Sequence, residues 1–219
     1  MITLSDIRAR DDIKTYIEQA DASMEALGFT EHAFAHVGKV SDTAKYILET
    51  LGYSDHDIEL AQIASYLHDI GNLVNRSEHS QSGAIMAFRI LTAMGMPAKD
   101  VAIVTTAIGN HDEGTGVAVN PVAAALIIAD KTDVRRSRVR NMSYADFDIH
   151  DRVNYSVKQS KVLINSDKTE IRLILEIDTK YSSIMDYFEI FLTRMTMCRK
   201  AAEKLGLIFK LEINGQQLL

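Results

Sequence analysis

Two stretches of this chain, residues 101–108 and 122–129, are apolar on nearly every helical face. A helix without a polar side has to be enclosed by other helices. The fold class expected is therefore mainly α, a helical bundle with these two segments at its centre. Pro97 and Pro121 suit first-turn positions, opening helices that run to about residues 110 and 136. Upstream, Ser5 caps a helix over residues 5–27 that Gly28 ends, and Thr30 caps a second over 31–51, stopped by Gly52. Ser54 with Asp57 resembles a capping box and opens a third, ending at His68-Asp69-Ile70-Gly71. Further helices are expected over residues 78–94 and 148–157.

Beyond residue 157 the period changes. Ile171, Leu173, Leu175 and Ile177 alternate with mainly polar partners, as in a half-buried strand, and residues 162–164 are its expected neighbour. A helix follows with Ile184, Tyr187, Phe188, Phe191, Leu192 and Met195 at helical spacing. A last strand carries Leu207, Phe209, Leu211 and Ile213 before the tight-turn pair Asn214-Gly215. The expected organisation is a helical domain over residues 1–157 and a small α+β annex (β-β-α-β) over 158–219. The annex's aromatic and Met stripe reads as core, and its strands carry no catalytic signal.

With 219 residues, 47% of them hydrophobic, the chain can bury a core without disulfide staples. The single cysteine, Cys198, excludes disulfide frameworks and thiolate zinc sites, so a reducing cytoplasm is the expected compartment. The first residues, MITLSDIRARDD, are charged and lack a signal-peptide core. The longest apolar run, 117–129, is interrupted by Asn120 and Pro121 and is too short to span a bilayer. A net charge of -6 argues against general nucleic-acid binding. Only residues 131–140 are basic, with five Lys or Arg against Asp133.

The chemistry concentrates at helix ends. His68-Asp69 closes an apolar helix, with His36 upstream and His79, His111 and Asp130 downstream. Imidazole and carboxylate together suit iron, manganese or zinc. Adjacent helical residues point about 100° apart, so His68 and Asp69 can reach one pocket from different directions. Asp130 emerges from the all-apolar run 123–129, where a charge needs a base or a metal as partner. Singly, each residue has a plainer reading: a salt bridge for Asp130, a helix C-cap for His111, a surface histidine for His79. His32 stands four residues before His36, on the same face of the expected helix, as a substrate contact or a packing group. His56 and His150 are expected to face solvent.

In order and spacing the six residues resemble the HD superfamily of metal-dependent phosphohydrolases over roughly residues 30–140. Glu31-His32-Ala33-Phe34-Ala35-His36 is similar to the family's first metal helix, and Leu67-His68-Asp69-Ile70-Gly71 to its core motif. His79-Ser80-Gln81-Ser82-Gly83 is similar to the His-x3-Gly element of two-metal members, and Ile128-Ala129-Asp130-Lys131 to the final Ala-Asp motif. Asn110-His111-Asp112-Glu113 is similar to the His-His-Glu element of the HD-GYP branch, with Asn in place of the first His. The Gly-Tyr-Pro of that branch is absent, so cyclic di-GMP hydrolysis is not expected. Asn72 stands where a Lys often follows the core motif.

The resemblance implies two divalent metal ions, Fe or Mn before Zn, Ni or Mg. His36, His68, Asp69 and Asp130 would hold one; Asp69, His79 and His111 would hold the other. It implies hydrolysis of a phosphate ester or anhydride by a metal-activated hydroxide, with Asp69 and Lys131 in catalytic roles. Arg76, Lys131, His32 and an arginine among Arg135, Arg136 and Arg138, foremost Arg135, are the expected substrate-binding groups. The expected partner is a small phosphorylated substrate of nucleotide type; self-association as a homodimer stays open. The same ligand order occurs in the diiron oxygenases of the superfamily, and a regulatory module that binds without turnover is a third reading.

Overall fold

The all-apolar segment at residue 122 lies in the helix Pro121–Lys131, whose residues Val122 to Ala129 are all buried. The computed structural model describes residues 2–140 and 147–219. In chain order its helices are α1 (Leu4–Arg8), α2 (Asp11–Ala26), α3 (Phe34–Leu51), α4 (Asp55–Leu67), α5 (His79–Ala93), α6 (Ala98–Gly109), α7 (Pro121–Lys131), α8 (Ile149–Ser156) and α9 (Ile184–Lys204). Helix α7 packs against α3, α4, α6 and α9, the central place its composition demands. Asn120 caps it through a hydrogen bond from Ala123 N to Asn120 Oδ1, and Pro121 fills the first turn.

The C-terminal part is a four-stranded sheet in the order β1-β2-β3-β4: β1 (Val157–Ile164), β2 (Glu170–Ile177), β3 (Ile208–Ile213) and β4 (Gln216–Gln217). Strands β1 and β2 form an antiparallel hairpin, α9 crosses over to bring β3 parallel to β2, and β4 turns back on β3. Strand β1 is longer than expected because most of its positions are half-buried or exposed, so apolar alternation does not mark it. The division expected between residues 157 and 158 falls at the first residue of β1. One buried hydrophobic cluster continues across it, joining Ile128 of α7 to Phe191 and Ala201 of α9 and Leu211 of β3. Among the described residues, no helix is long and apolar enough to cross a membrane.

Three boundaries differ from expectation, each for a local reason. The helix expected over 5–27 is two: Thr3, in a capping box with Asp6, starts α1, and Arg10 adopts extended backbone before α2. The break re-phases the apolar face, since the buried pair Leu4 and Ile7 and the buried series Ile13, Ile17, Ala20, Met24 would not share one face of an unbroken helix. Helix α3 starts at Phe34, not Glu31. Glu31 N donates to Arg138 O at 2.8 Å and His32 N to Asp21 Oδ1 at 2.8 Å, which ties this stretch to other segments. Helix α7 stops at Lys131 rather than near 136. Thr132 Oγ1 donates to Ile128 O at 2.6 Å as the chain leaves the helix.

Candidate metal centre

Five helix termini meet at one point. His36 lies in the first turn of α3, His68 caps the C-terminus of α4, His79 opens α5, His111 follows the end of α6 and Asp130 closes α7. The exit of α4 is brought against α5 by a close backbone approach: a Cβ on Gly71 would stand 1.9 Å from His79 O and 2.5 Å from Gly83 N. Only glycine fits there, and the approach sets His68-Asp69 beside His79. His36, His68 and His111 are fully buried, and His79 and Asp69 nearly so.

Every one of these imidazoles is oriented through its Nδ1. His36 Nδ1 donates to Asp133 Oδ2 at 2.8 Å, His68 Nδ1 to Ser65 O at 2.7 Å, His79 Nδ1 to Arg76 O at 3.1 Å and His111 Nδ1 to Ile108 O at 2.6 Å. Carbonyl and carboxylate oxygens only accept, so the proton sits on Nδ1 and Nε2 is left to act as ligand. The Nε2 atoms converge. His36 Nε2 is 3.3 Å from Asp130 Oδ1 and 3.6 Å from Asp69 Oδ2; His68 Nε2 is 3.3 Å from Asp69 Oδ2 and 3.6 Å from Asp130 Oδ1. On the other side of Asp69, His79 Nε2 is 3.5 Å from Oδ1 and 3.1 Å from His111 Nε2.

These separations fit metal binding. Donor atoms about 2.1 Å from a common ion lie roughly 3.0–3.4 Å from one another in octahedral or tetrahedral arrangements. His36 Nε2 and His68 Nε2 are buried and have no hydrogen-bond partner among the described residues, which a coordinating ion would resolve. His36, His68 and Asp130 form one group able to hold a cation, and His68, Asp69 and His111 a second that overlaps it. Asp69 turns one oxygen to each side, as a bridging carboxylate does.

The electrostatics point the same way. Burial opposes ionisation of Asp69 and Asp130, yet His68 beside Asp69 and Lys131 beside Asp130 hold both well below the usual carboxylate range. Burial also opposes a cationic His68, but the two carboxylates outweigh it and raise His68 to about 10. His111 moves the other way: burial, with His68 and Lys131 nearby, lowers it to about 3. A proton on His68 and a metal ion thus answer one need, positive charge between two buried carboxylates.

The surrounding shell contains residues that were not expected in these roles. Asp133, read as one acid within a basic run, orients His36 and accepts from Arg135 Nε at 2.8 Å. Against burial, His36 and Arg138 keep it below the ordinary carboxylate range. Asn72 Nδ2 donates to Asp69 Oδ1 and to Asp69 O, each at 3.0 Å, so the residue in the expected lysine position steadies the Asp69 carboxylate. Asp112 approaches to 4.0 Å of His79 Nε2.

A cavity of about 370 Å³ opens onto Asp69, His79 and Asp130. Of the expected substrate-side groups, Arg76, Lys131 and His32 line it. Arg76 NH1 donates to His79 Nε2 at 3.3 Å and to Asn72 Oδ1 at 3.4 Å. Lys131 Nζ lies 2.7 Å from Asp130 Oδ2 and 3.3 Å from Glu113 Oε1. His32 is not on the helix of His36, as expected from its spacing, but on the extended stretch before it. Its ring still meets that of His36 edge-on at 5.7 Å, and its Nδ1 donates to Thr30 O at 2.5 Å.

Arg135 is a correction. Its guanidinium is engaged by Asp133, Ser137 Oγ and Ala35 O, and it does not reach the cavity, because α7 ends early and the chain turns it outward. Arg136 is stacked against Tyr155 and Tyr181 instead. Arg138 does line the cavity, nearly buried, with Nε on Glu31 O and NH1 on Asp133 O. His56 is not simply solvent-facing, since its Nε2 is 3.0 Å from Asp100 Oδ1; His150 is exposed but stands at the cavity wall. Phe191 and Arg194, both from α9, also line the cavity, as do Phe29, Asp148 and Asp151.

Residues 33–135 match the family model described as HD domain. Over 217 aligned residues the chain is 23% identical to an uncharacterized protein of Methanocaldococcus jannaschii, covering 82% of this chain and 83% of that protein. A crystal structure described as a predicted HD superfamily hydrolase from an uncultured Thermotogales bacterium is also similar. It has 24% identity and a TM-score of 0.44, covering 61% of this chain and 75% of that one.

Proposed function

Residues 33–135 make this chain a member of the HD-domain superfamily, and from that premise we propose that it is a metal-dependent phosphohydrolase. Its substrate in this reading is a small phosphorylated molecule of nucleotide type, cleaved at a phosphate ester or anhydride. The observation that carries the reading is the convergence of four Nδ1-anchored imidazoles on the two oxygens of Asp69 and on Asp130.

His36, His68, Asp69 and Asp130 would hold one ion, and Asp69, His79 and His111 a second. Iron or manganese suits this nitrogen and oxygen donor set, with zinc, nickel and magnesium as further candidates. Bound there, the ions would supply a hydroxide at neutral pH and offset charge on the phosphoryl oxygens.

The remaining work falls to the chain's own groups. Asp133 and the carbonyls of Ser65, Arg76 and Ile108 keep the four imidazoles in their ligating tautomer. Asn72 fixes the plane of the Asp69 carboxylate. Lys131 is held at the metal-facing end of the cavity by Asp130 and Glu113, where its ammonium adds positive charge. Arg76, between His79 and the open cavity, is placed to meet a phosphate oxygen.

The test is release of inorganic phosphate from a panel of nucleotides by protein reconstituted with Mn or Fe, beside Asp69→Ala. Metal-dependent release that is lost in the variant supports the reading. An iron-loaded protein that releases no phosphate but shows a mixed-valence electron paramagnetic resonance signal and consumes dioxygen would replace it with the oxygenase reading.

A further inference from the structure

We propose that Arg194, carried by the C-terminal annex on α9, binds a phosphoryl group of the substrate in the metal cavity; this rests on the phosphohydrolase reading above. Arg194 lies well outside residues 33–135, the part matching the HD domain, and yet it lines the same cavity as Asp69 and Asp130.

Its position is built. Arg194 Nε is 2.6 Å from Glu113 Oε1, and the same oxygen is 3.3 Å from Lys131 Nζ, which in turn is 2.7 Å from Asp130 Oδ2. One carboxylate and one ammonium therefore separate the guanidinium from a candidate metal ligand. The ring of Phe191, itself 1% exposed, lies beneath the guanidinium carbon at 4.5 Å and holds its plane.

Arg194 also has spare donor capacity. A guanidinium offers five N–H donors in a rigid fork. Glu113 engages Nε, and among the described residues neither terminal nitrogen makes a hydrogen bond, although a quarter of the side chain is open. Arg138 spends Nε and NH1 on backbone carbonyls, Arg76 divides NH1 between Asn72 and His79, and Lys131 is shared by two carboxylates. Glu113 stands between two cations, Lys131 and Arg194, and so holds the guanidinium at the cavity wall. A planar fork with both terminal nitrogens free matches two oxygens of one phosphate.

The experiment uses the full-length Mn-loaded protein with inorganic phosphate as the probe, read by calorimetry, together with kcat/KM for phosphate release. Arg194→Ala is expected to weaken phosphate binding and kcat/KM by about 10- to 100-fold, the loss of a charge-assisted contact, with metal content unchanged. Arg194→Lys recovers part of this, and millimolar guanidinium ion restores Arg194→Ala, which a structural brace would not allow. Arg172→Ala, in the annex sheet paired with Glu212, leaves both quantities unchanged. Phosphate affinity in Arg194→Ala equal to wild type overturns the role of Arg194 alone. So does a loss that guanidinium does not restore. A wild-type protein that binds Mn but neither binds nor releases phosphate overturns the phosphohydrolase reading as well.

Discussion

His79 Nε2 and His111 Nε2 face each other at 3.1 Å, while each ring gives its Nδ1–H to a carbonyl oxygen. Two lone pairs at that distance repel unless a cation lies between them. In the proposed reading this pair is what separates a two-metal centre from a one-metal centre. His111→Ala is therefore expected to lower bound Mn from two equivalents per chain to one, and to replace an exchange-coupled paramagnetic resonance spectrum with that of isolated Mn. A variant that still binds two coupled ions contradicts the assignment of His111.

Asp133 reaches the candidate centre through His36, while its carboxylate also accepts from Arg135. Without its carboxylate the His36 ring loses the partner that fixes its tautomer and direction. Asp133→Ala is expected to weaken Mn binding by about 10- to 100-fold while every ligand stays in place. Competition against a chelator of known affinity measures this, and an unchanged affinity would show that the Asp133 contact is incidental.

Gly71 tests the architecture rather than the ligands. Its missing Cβ leaves room for His79 O, so Gly71→Ala must push α4 and α5 apart. Overpacking of this kind costs about 1–3 kcal/mol or more, which for a chain of this size corresponds to a Tm lower by roughly 2–12 °C. Loss of the second metal is expected alongside it. A thermal melt and a metal assay on the same sample decide it; wild-type values for both would mean that the close approach is not needed.

The pH dependence follows from His68, raised from 6.5 to about 10 by Asp69 and Asp130 against the effect of burial. A value raised on folding gives stabilisation that is complete below the unfolded value and lost as pH climbs through the folded one. Chelator-treated protein is thus expected to lose Tm progressively from about pH 7 to pH 10. Saturating Mn, which takes the place of that proton, is expected to remove the decline. A chelated protein whose Tm is flat over this range would contradict the His68 assignment.

Much of this candidate centre was legible because its candidate ligands sit at helix ends marked by local signals. The apolar run before Asp130, the capping pair at Ser54 and Gly71 after His68-Asp69 can all be read within a few residues. Asp133 was not legible in its role, because the apolar pattern gives no warning that α7 stops at Lys131 and turns Asp133 inward. Arg135 was misplaced by the same boundary. His32 was assigned to a helix that tertiary hydrogen bonds from Glu31 and His32 prevent from starting there. Arg194 depends on α9 packing against α7, a contact between segments far apart in the chain, and no local pattern announces it.

The most direct test of the central claim is phosphate release measured as Mn is added stepwise to chelator-treated protein. A dinuclear centre bridged by Asp69 predicts little release at the first equivalent and a plateau at two per chain, with none in Asp69→Ala. Release that survives excess chelator, or that saturates at a single equivalent, would contradict it.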